Sequence, residues 1–149
     1  MQTELTATAK QLLSTALERK GLKATRQRAH IFAVVKACRT HPTASQVYRR
    51  AKQEMPHLSL ATVYNSLETL ANCGLVRSVQ LDRGPTHYCP NLSKHAHFHC
   101  KRTGQLYDIK LPEALLGELK ALLPNDFQID SLDIAFHGNS PSESAVNST

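Results

Sequence analysis

Apolar residues recur at three- and four-residue steps in four segments of the first half of the chain, which is the spacing of helices that bury one face. The first segment covers residues 3–20. The other three begin after Thr25, Thr43 and Ser59, whose side-chain oxygens suit the N-cap position of a helix. Gln46 follows Thr43 by three positions, as in a capping box. The pattern therefore predicts four consecutive helices.

Two short β-like runs follow the helices, at residues 75–81 and 86–89. They are joined by Asp-Arg-Gly-Pro at 82–85, a turn-forming combination, so together they predict a hairpin. Helices followed by a hairpin are typical of a winged helix-turn-helix, in which the last helix enters the major groove of DNA and the hairpin tip touches the backbone. An alternative is a small α+β domain whose hairpin only caps a core.

The fourth predicted helix has an apolar stripe and a polar face. The stripe consists of Leu60, Val63, Leu67 and Leu70. The other face carries Thr62, Asn65, Ser66 and Thr69. These small polar groups can approach a base edge. Together with Arg83 in the hairpin turn, this face favours DNA binding over the alternative.

The pattern changes after residue 91. The predicted elements are strands at 96–100 and 105–109 around a turn at 101–104, a short amphipathic helix at 113–123, and a final strand at 127–136. The tail from Gly138 is rich in Ser and Asn and is predicted to be disordered.

Charge is distributed unevenly along the chain. Residues 1–89 contain 13 Lys and Arg against 5 Asp and Glu, whereas residues 90–149 contain 5 against 7. A basic half is what nucleic-acid binding requires, because neutralising phosphates releases counterions. An ordinary solvated surface can have the same composition, so charge alone does not decide the function.

Composition narrows the cellular setting. No apolar run approaches the length needed to span a bilayer, and the N-terminus lacks the apolar core of a signal peptide. The four cysteines follow no close-spaced disulfide pattern. We therefore expect a cytoplasmic protein without membrane contact.

Histidines are densest in the segment His-Ala-His-Phe-His-Cys at 95–100. On a strand, His95, His97 and His99 would share one face. Cys89 precedes them and Asp108 lies on the next predicted strand. Imidazole with thiolate or carboxylate is a typical donor set for zinc, iron or manganese. An exposed polar strand would explain the histidines without a metal.

A histidine-rich site permits functions other than regulation. A small zinc hydrolase would need an open coordination position and a general base, and Asp108 could serve as that base. A metal-storage or metal-chaperone module is a third possibility. Neither explains the basic first half or the polar face of the fourth helix.

The chain resembles the ferric uptake regulator family over about residues 8–136. The resemblance lies in residues 21–28 (GLKATRQR), 41–44 (HPTA) and 59–67 (SLATVYNSL), in His95-x-His97, and in Thr103-Gly104-x-x-x-Asp108. It implies an α+β protein whose domains are a winged helix-turn-helix DNA-binding domain at 1–90, a small α/β metal-binding dimerisation domain at 91–137, and a disordered tail at 138–149. It also implies a homodimer that binds a palindromic operator in double-stranded DNA.

Site residues follow from the same resemblance. The regulatory ligands it implies for one divalent metal per chain, Zn or Fe/Mn, are His41, Cys89, His95, His97 and Asp108. The DNA contacts it implies are Lys23 and Arg28 near phosphate or minor groove, and Tyr64 and Asn65, with Thr62, on the recognition helix. The ligand set straddles the predicted domain boundary, as a conformational switch requires.

Two positions depart from the family pattern. Many members hold a structural zinc with two Cys-x-x-Cys pairs, but here Thr103 replaces the partner of Cys100 and no cysteine follows. We therefore expect one metal site per chain. Cys89 stands where peroxide- or iron-sensing relatives place a carboxylate, and a thiolate shifts preference towards zinc. The peroxide-sensing and zinc-uptake branches both stay open, as does ligation by Cys89 and His99, because Cys89 could instead be a buried apolar residue.

Overall fold

The computed structural model describes residues 3–38, 40–80 and 84–141 of the 149-residue chain. The chain divides into two compact units, residues 1–92 and 93–149, which we call the head unit and the sheet unit. The head unit contains α1 (Ala7–Glu18), α2 (Arg26–Ala37), α3 (Ala44–Glu54), α4 (Leu60–Asn72), β1 (Arg77–Val79) and β2 (His87–Cys89). The sheet unit contains β3 (His95–Cys100), β4 (Leu106–Lys110), α5 (Glu113–Ala121) and β5 (Ala135–Gly138).

Each helix of the head unit starts at a hydroxyl side chain that accepts a hydrogen bond from a backbone N–H of the first turn. Thr6, Thr25 and Ser59 accept such bonds at 3.1, 3.2 and 3.1 Å. The Thr43 hydroxyl accepts one from the N–H of Gln46 at 3.3 Å, and the Thr43 N–H donates to Oε1 of Gln46 at 2.9 Å. A cap of this kind stabilises a helix by about 1 kcal/mol. The predicted helix starts at Thr25, Thr43 and Ser59 are confirmed.

The core of the head unit is a cluster of apolar side chains from all four helices. Its most buried members include Leu13, Leu17, Ile31, Phe32, Val35, Val47, Val63, Leu67 and Leu70. Two residues of α4 differ from the prediction. Ser66 is only 4% exposed, because it lies three residues after Val63 and four before Leu70 and so belongs to the buried stripe. Leu60, the first residue of α4, is 41% exposed rather than buried.

The predicted hairpin of the head unit is formed by β1 and β2, which pair antiparallel with Ser78 opposite Tyr88. Asp82 and Arg83 of the predicted turn lie outside the described residues. Strand β2 also contacts the loop between α2 and α3. The Tyr88 N–H donates to the Pro42 carbonyl at 2.9 Å, and residues 43 and 87 form an isolated β-bridge. The second wing strand is thereby attached to this loop.

The sheet unit is built on three strands in the order β4-β3-β5. Strand β4 is antiparallel to β3 and places Asp108 opposite His97. Strand β5 is parallel to β3 and places Ala135 beside His97. This sheet brings residues from three separate stretches of sequence to one face.

The final strand is shorter than predicted and begins later. Residues 127–134 are not in a strand, and β5 covers only Ala135–Gly138. The reason is the register: His97 pairs with Ala135 and β3 starts at His95, so residues before 133 have no position on β3 to pair with. Gly138 ends the strand and Ser140 is also described, so the folded unit extends into the predicted tail, of which 142–149 lie outside the described residues.

Helices and a hairpin followed by a mixed sheet with one helix make up an α+β architecture, so the predicted fold class is confirmed. Among the residues that the structure describes, no helix is long and apolar enough to cross a membrane.

Candidate metal centre

Three potential metal ligands of the sheet unit converge on one point. Alternation along β3 directs His95 and His97 to the same face, and the register with β4 adds Asp108. The Nε2 atom of His95 lies 3.0 Å from Nε2 of His97 and 3.0 Å from Oδ1 of Asp108. The same Asp108 oxygen is 3.6 Å from Nε2 of His97. Both histidines are buried, whereas Asp108 is more accessible.

The orientation of His95 suits it for metal binding. Its Nδ1 lies 2.6 Å from the Ser93 carbonyl oxygen. Because a carbonyl can only accept, Nδ1 carries a proton and donates, and Nε2 is the ring nitrogen that faces His97 and Asp108. A metal-binding histidine commonly donates its other ring N–H in this way, which fixes both tautomer and ring angle. Sequence analysis did not identify Ser93, because a backbone carbonyl has no residue-specific pattern.

Two further potential ligands lie together within the head unit. His41 is in the loop between α2 and α3, and Cys89 is the last residue of β2. One ligand atom of each lies within 4.8 Å of the other. Both side chains are buried, at 6% and 0% exposure. The bridge between β2 and the α2–α3 loop explains why these residues, 48 positions apart, are neighbours.

The donor types of the two groups fit a transition metal. Imidazole nitrogen suits zinc, iron and manganese, thiolate sulfur favours zinc, and carboxylate oxygen suits iron and manganese. The predicted cofactor, a divalent Zn, Fe or Mn ion, is consistent with these side chains.

His99 is also on the histidine-bearing face of β3, but it has a different neighbour. Its ring meets that of His137 on β5 edge to face, with centroids 5.6 Å apart, as the parallel register of these residues dictates. In the sheet unit, the convergent ligand group consists of His95, His97 and Asp108 and does not include His99. Sequence reasoning missed His137, because only the pairing of β3 with β5 brings it close.

Cys100 lies on the opposite face of β3 and is completely buried. Hydrogen bonds from Ser140 and Thr103 lower the pKa of its thiol from 9.0 to about 5, although burial opposes this shift. Thr103, which replaces a cysteine of the family pattern, therefore stabilises a thiolate at this position.

The predicted DNA-contacting residues of α4 differ in exposure. Tyr64 and Asn65 are exposed, at 49% for Tyr64. Thr62 is half-buried, and its hydroxyl lies 2.8 Å from that of Ser59. Lys23 is exposed, and its carbonyl accepts a hydrogen bond from the Arg28 guanidinium at 2.8 Å, which fixes the Arg28 side chain beside the start of α2.

A winged helix joined in sequence to a small sheet that carries clustered metal ligands defines a class of protein, the metal-responsive DNA-binding regulators. Residues 19–137 match the model of the ferric uptake regulator family, and the chain belongs to this family. Members are transcription regulators that bind DNA and act as dimers, which sets aside the hydrolase alternative.

Individual relatives are similar over most of their length. The chain is 27% identical over 125 residues to the peroxide-responsive repressor PerR of Staphylococcus aureus, covering 83% of each chain. It is 29% identical to the Campylobacter jejuni peroxide stress regulator, with a TM-score of 0.69, covering 87% of this chain and 96% of that one. The Helicobacter pylori ferric uptake regulator shares the fold, with a TM-score of 0.77 over 94% of each chain at 18% identity.

Proposed function

We propose that this chain is a metal-dependent repressor that binds double-stranded DNA as a homodimer and responds to peroxide or metal status. One observation carries the proposal: side chains suited to a divalent cation lie grouped in each compact unit. His41 and Cys89 belong to the head unit, and His95, His97 and Asp108 to the sheet unit. We assign all five to a single regulatory site.

A site shared between two units acts as a switch for a thermodynamic reason. A cation can engage both groups only in the arrangement that brings them together, so its binding energy favours that arrangement over all others. In the dimer, this would set the two head units at the separation that a palindromic operator requires. A cation held by these residues would supply positive charge beside the sulfur of Cys89 and the carboxylate of Asp108.

Peroxide is the signal we favour, because the relatives from Staphylococcus and Campylobacter are a peroxide-responsive repressor and a peroxide stress regulator. If these residues hold iron, the ion would supply redox chemistry towards peroxide, and His41, His95 and His97 would be the side chains nearest to that oxidation. Loss of a histidine ligand would release the cation and then the DNA.

Zinc sensing is the second candidate, and Cys89 is the residue that favours it. A thiolate is a softer ligand than a carboxylate and prefers zinc. The variant Cys89→Asp separates the candidates, because it should lower zinc affinity relative to iron or manganese. An unchanged metal preference would exclude Cys89 from the ligands.

On the DNA side, we assign base-edge contacts to the exposed face of α4. Tyr64 and Asn65 point away from the core, and Thr62 lies beside them. Lys23 and Arg28 would contact phosphates, which fits the net basic charge of the head unit.

A gel-shift experiment tests the proposal. The probe is a DNA fragment selected by the wild-type protein from a random pool in the presence of Zn²⁺, Mn²⁺ or anaerobic Fe²⁺. Wild-type binding should require the metal, and His41→Ala and His97→Ala should each lose tight DNA binding even when the metal is present. His137→Ala is the matched control, because it removes an exposed histidine of the same sheet outside the ligand group. DNA binding that ignores chelator would refute the proposal.

A further inference from the structure

We infer that His87 is a positioning residue for the regulatory metal site, because its ring fixes the backbone of the ligand His41. The inference rests on the proposed function, since it concerns how one of the proposed ligands is held. His87 itself is not in the convergent ligand group.

The contact between His87 and His41 is short and specific. Nδ1 of His87 lies 2.7 Å from the carbonyl oxygen of His41, and the His87 side chain is partly buried. Because the carbonyl can only accept, Nδ1 must carry the proton and donate. The contact joins residues 46 positions apart, and it joins the wing to the loop between α2 and α3.

Backbone pairing between the loop and β2 supports the same attachment. The Tyr88 N–H donates to the Pro42 carbonyl at 2.9 Å, and residues 43 and 87 form a β-bridge. These contacts keep the loop against β2, but neither of them involves the carbonyl of His41. The bond from His87 restrains the His41 carbonyl itself.

Fixing one carbonyl has a consequence for the ligand that carries it. The peptide unit is planar, so holding its oxygen fixes ψ of His41 and thereby the direction in which the imidazole leaves the backbone. Strand alternation puts the His87 side chain on the same face of β2 as Cys89, two residues later. The strand that carries one proposed ligand of the head unit therefore also orients the other.

Sequence analysis could not identify this role. His87 lies in Thr-His-Tyr-Cys at 86–89, among eight histidines, and only its ring contact with a distant backbone carbonyl distinguishes it.

The test measures zinc affinity of the full-length dimer by competition with a chromophoric chelator. His87→Phe keeps a ring but removes the donor, and we expect the Kd for Zn²⁺ to rise about 10-fold, the lower end of the usual effect of losing a residue that orients a ligand. His87→Asn restores an N–H at the position of Nδ1, and its Kd should lie within about 3-fold of the wild type.

The matched control is His30→Phe. His30 is also partly buried in the head unit and also contacts a backbone carbonyl, with Nε2 at 3.0 Å from the Ala51 oxygen, but it touches no proposed ligand. His30→Phe should lower Tm and leave the Kd for Zn²⁺ unchanged. A merely structural role for His87 predicts that both phenylalanine variants change only Tm.

Two further results would decide the matter. If His87→Phe binds Zn²⁺ with wild-type affinity while His41→Ala binds it more weakly, the positioning role of His87 is overturned and the proposed site stays intact. Wild-type affinity in His41→Ala would instead remove His41 from the ligands, and the proposed five-residue site and this inference would fail together.

Discussion

The head unit and the sheet unit bury their apolar side chains to very different extents. In the head unit, Phe32, Ile31, Leu67 and their neighbours form one closed cluster to which every helix contributes. In the described part of the sheet unit, the buried apolar side chains are Ala96, Cys100, Leu106 and Leu116. Large apolar side chains of the sheet unit are instead on its surface, among them Leu122 at 79%, Phe127 at 65% and Phe136 at 50% exposure.

This difference indicates which unit requires a partner. A closed core of this kind accounts for the stability of a small domain, whereas exposed apolar surface marks an interaction site. The two units also differ in charge, since the basic residues are concentrated in the head unit. We therefore expect the head unit to meet DNA and the sheet unit to meet a second copy of the chain.

The largest expected effect comes from breaking the core of the head unit. Phe32 is 1% exposed, and Phe32→Ala should lower the free energy of unfolding by about 3–5 kcal/mol, because it removes a large buried side chain and leaves a cavity. Urea denaturation followed by circular dichroism measures this change. Phe127→Ala in the sheet unit is the comparison variant. It should lower the free energy of unfolding far less, at protein concentrations where the chain is monomeric. Equal losses of unfolding free energy in the two variants would contradict the difference in core burial between the two units.

The next effect concerns dimerisation. Phe136 is half-exposed on the edge strand β5, and Phe136→Asp should weaken dimerisation by about 2 kcal/mol or more if this aromatic side chain is central to the interface. Sedimentation equilibrium measures the dimer dissociation constant. Leu12→Asp, which charges an exposed apolar position of α1 in the head unit, provides the control. If only Leu12→Asp changed the dimer dissociation constant, the dimer interface would have to be assigned to the head unit instead.

A comparable or smaller effect is expected for DNA contacts of the head unit. Asn65→Ala and Tyr64→Ala should each cost about 1–3 kcal/mol of specific DNA binding while leaving metal content and dimerisation intact. Lys23→Ala should weaken binding to all sequences alike and reduce its salt dependence. Fluorescence anisotropy at several salt concentrations distinguishes the two outcomes. Normal specific binding by both α4 variants would show that this helix does not read the operator.

A separate prediction concerns a pH dependence of stability that originates in the sheet unit. The pKa of Cys100 is lowered from 9.0 to about 5 by Ser140 and Thr103. Between these values the unfolded chain binds a proton that the folded chain does not, so the Cys100 contribution to stability is complete above pH 9 and is lost as pH falls towards 5. Cys100→Ser should flatten the rise of unfolding free energy with pH in this window.

Thiolate absorbance near 240 nm provides an independent measurement of the same group. The wild-type protein should show a titration near pH 5 that Cys100→Ser lacks. Cys38→Ser should retain it, because burial raises the pKa of the Cys38 thiol, although Arg50 opposes the shift. If the low titration persists in Cys100→Ser, another group is responsible.

Local chemistry made much of the fold predictable. The helices begin at Thr25, Thr43 and Ser59 because each hydroxyl accepts a hydrogen bond from an N–H three residues later. Such a cap can be recognised from four consecutive residues of the sequence. Period-two alternation likewise placed His95 and His97 on one face of a strand, and helical spacing should have placed Ser66 on the buried stripe of α4.

The order of helices and strands and the residue types available as metal ligands could be determined from the sequence alone. The reason is that helix propensity, capping and periodicity act over one or two helical turns. Tertiary structure decided the rest: the start of β5, the pairing of His99 with His137, the hydroxyls around Cys100, and the bond from His87 to His41. Each of these depends on a register or a loop closure between residues far apart in the chain. The free energy of such contacts comes from packing and long-range hydrogen bonds, which leave no periodic trace in the sequence.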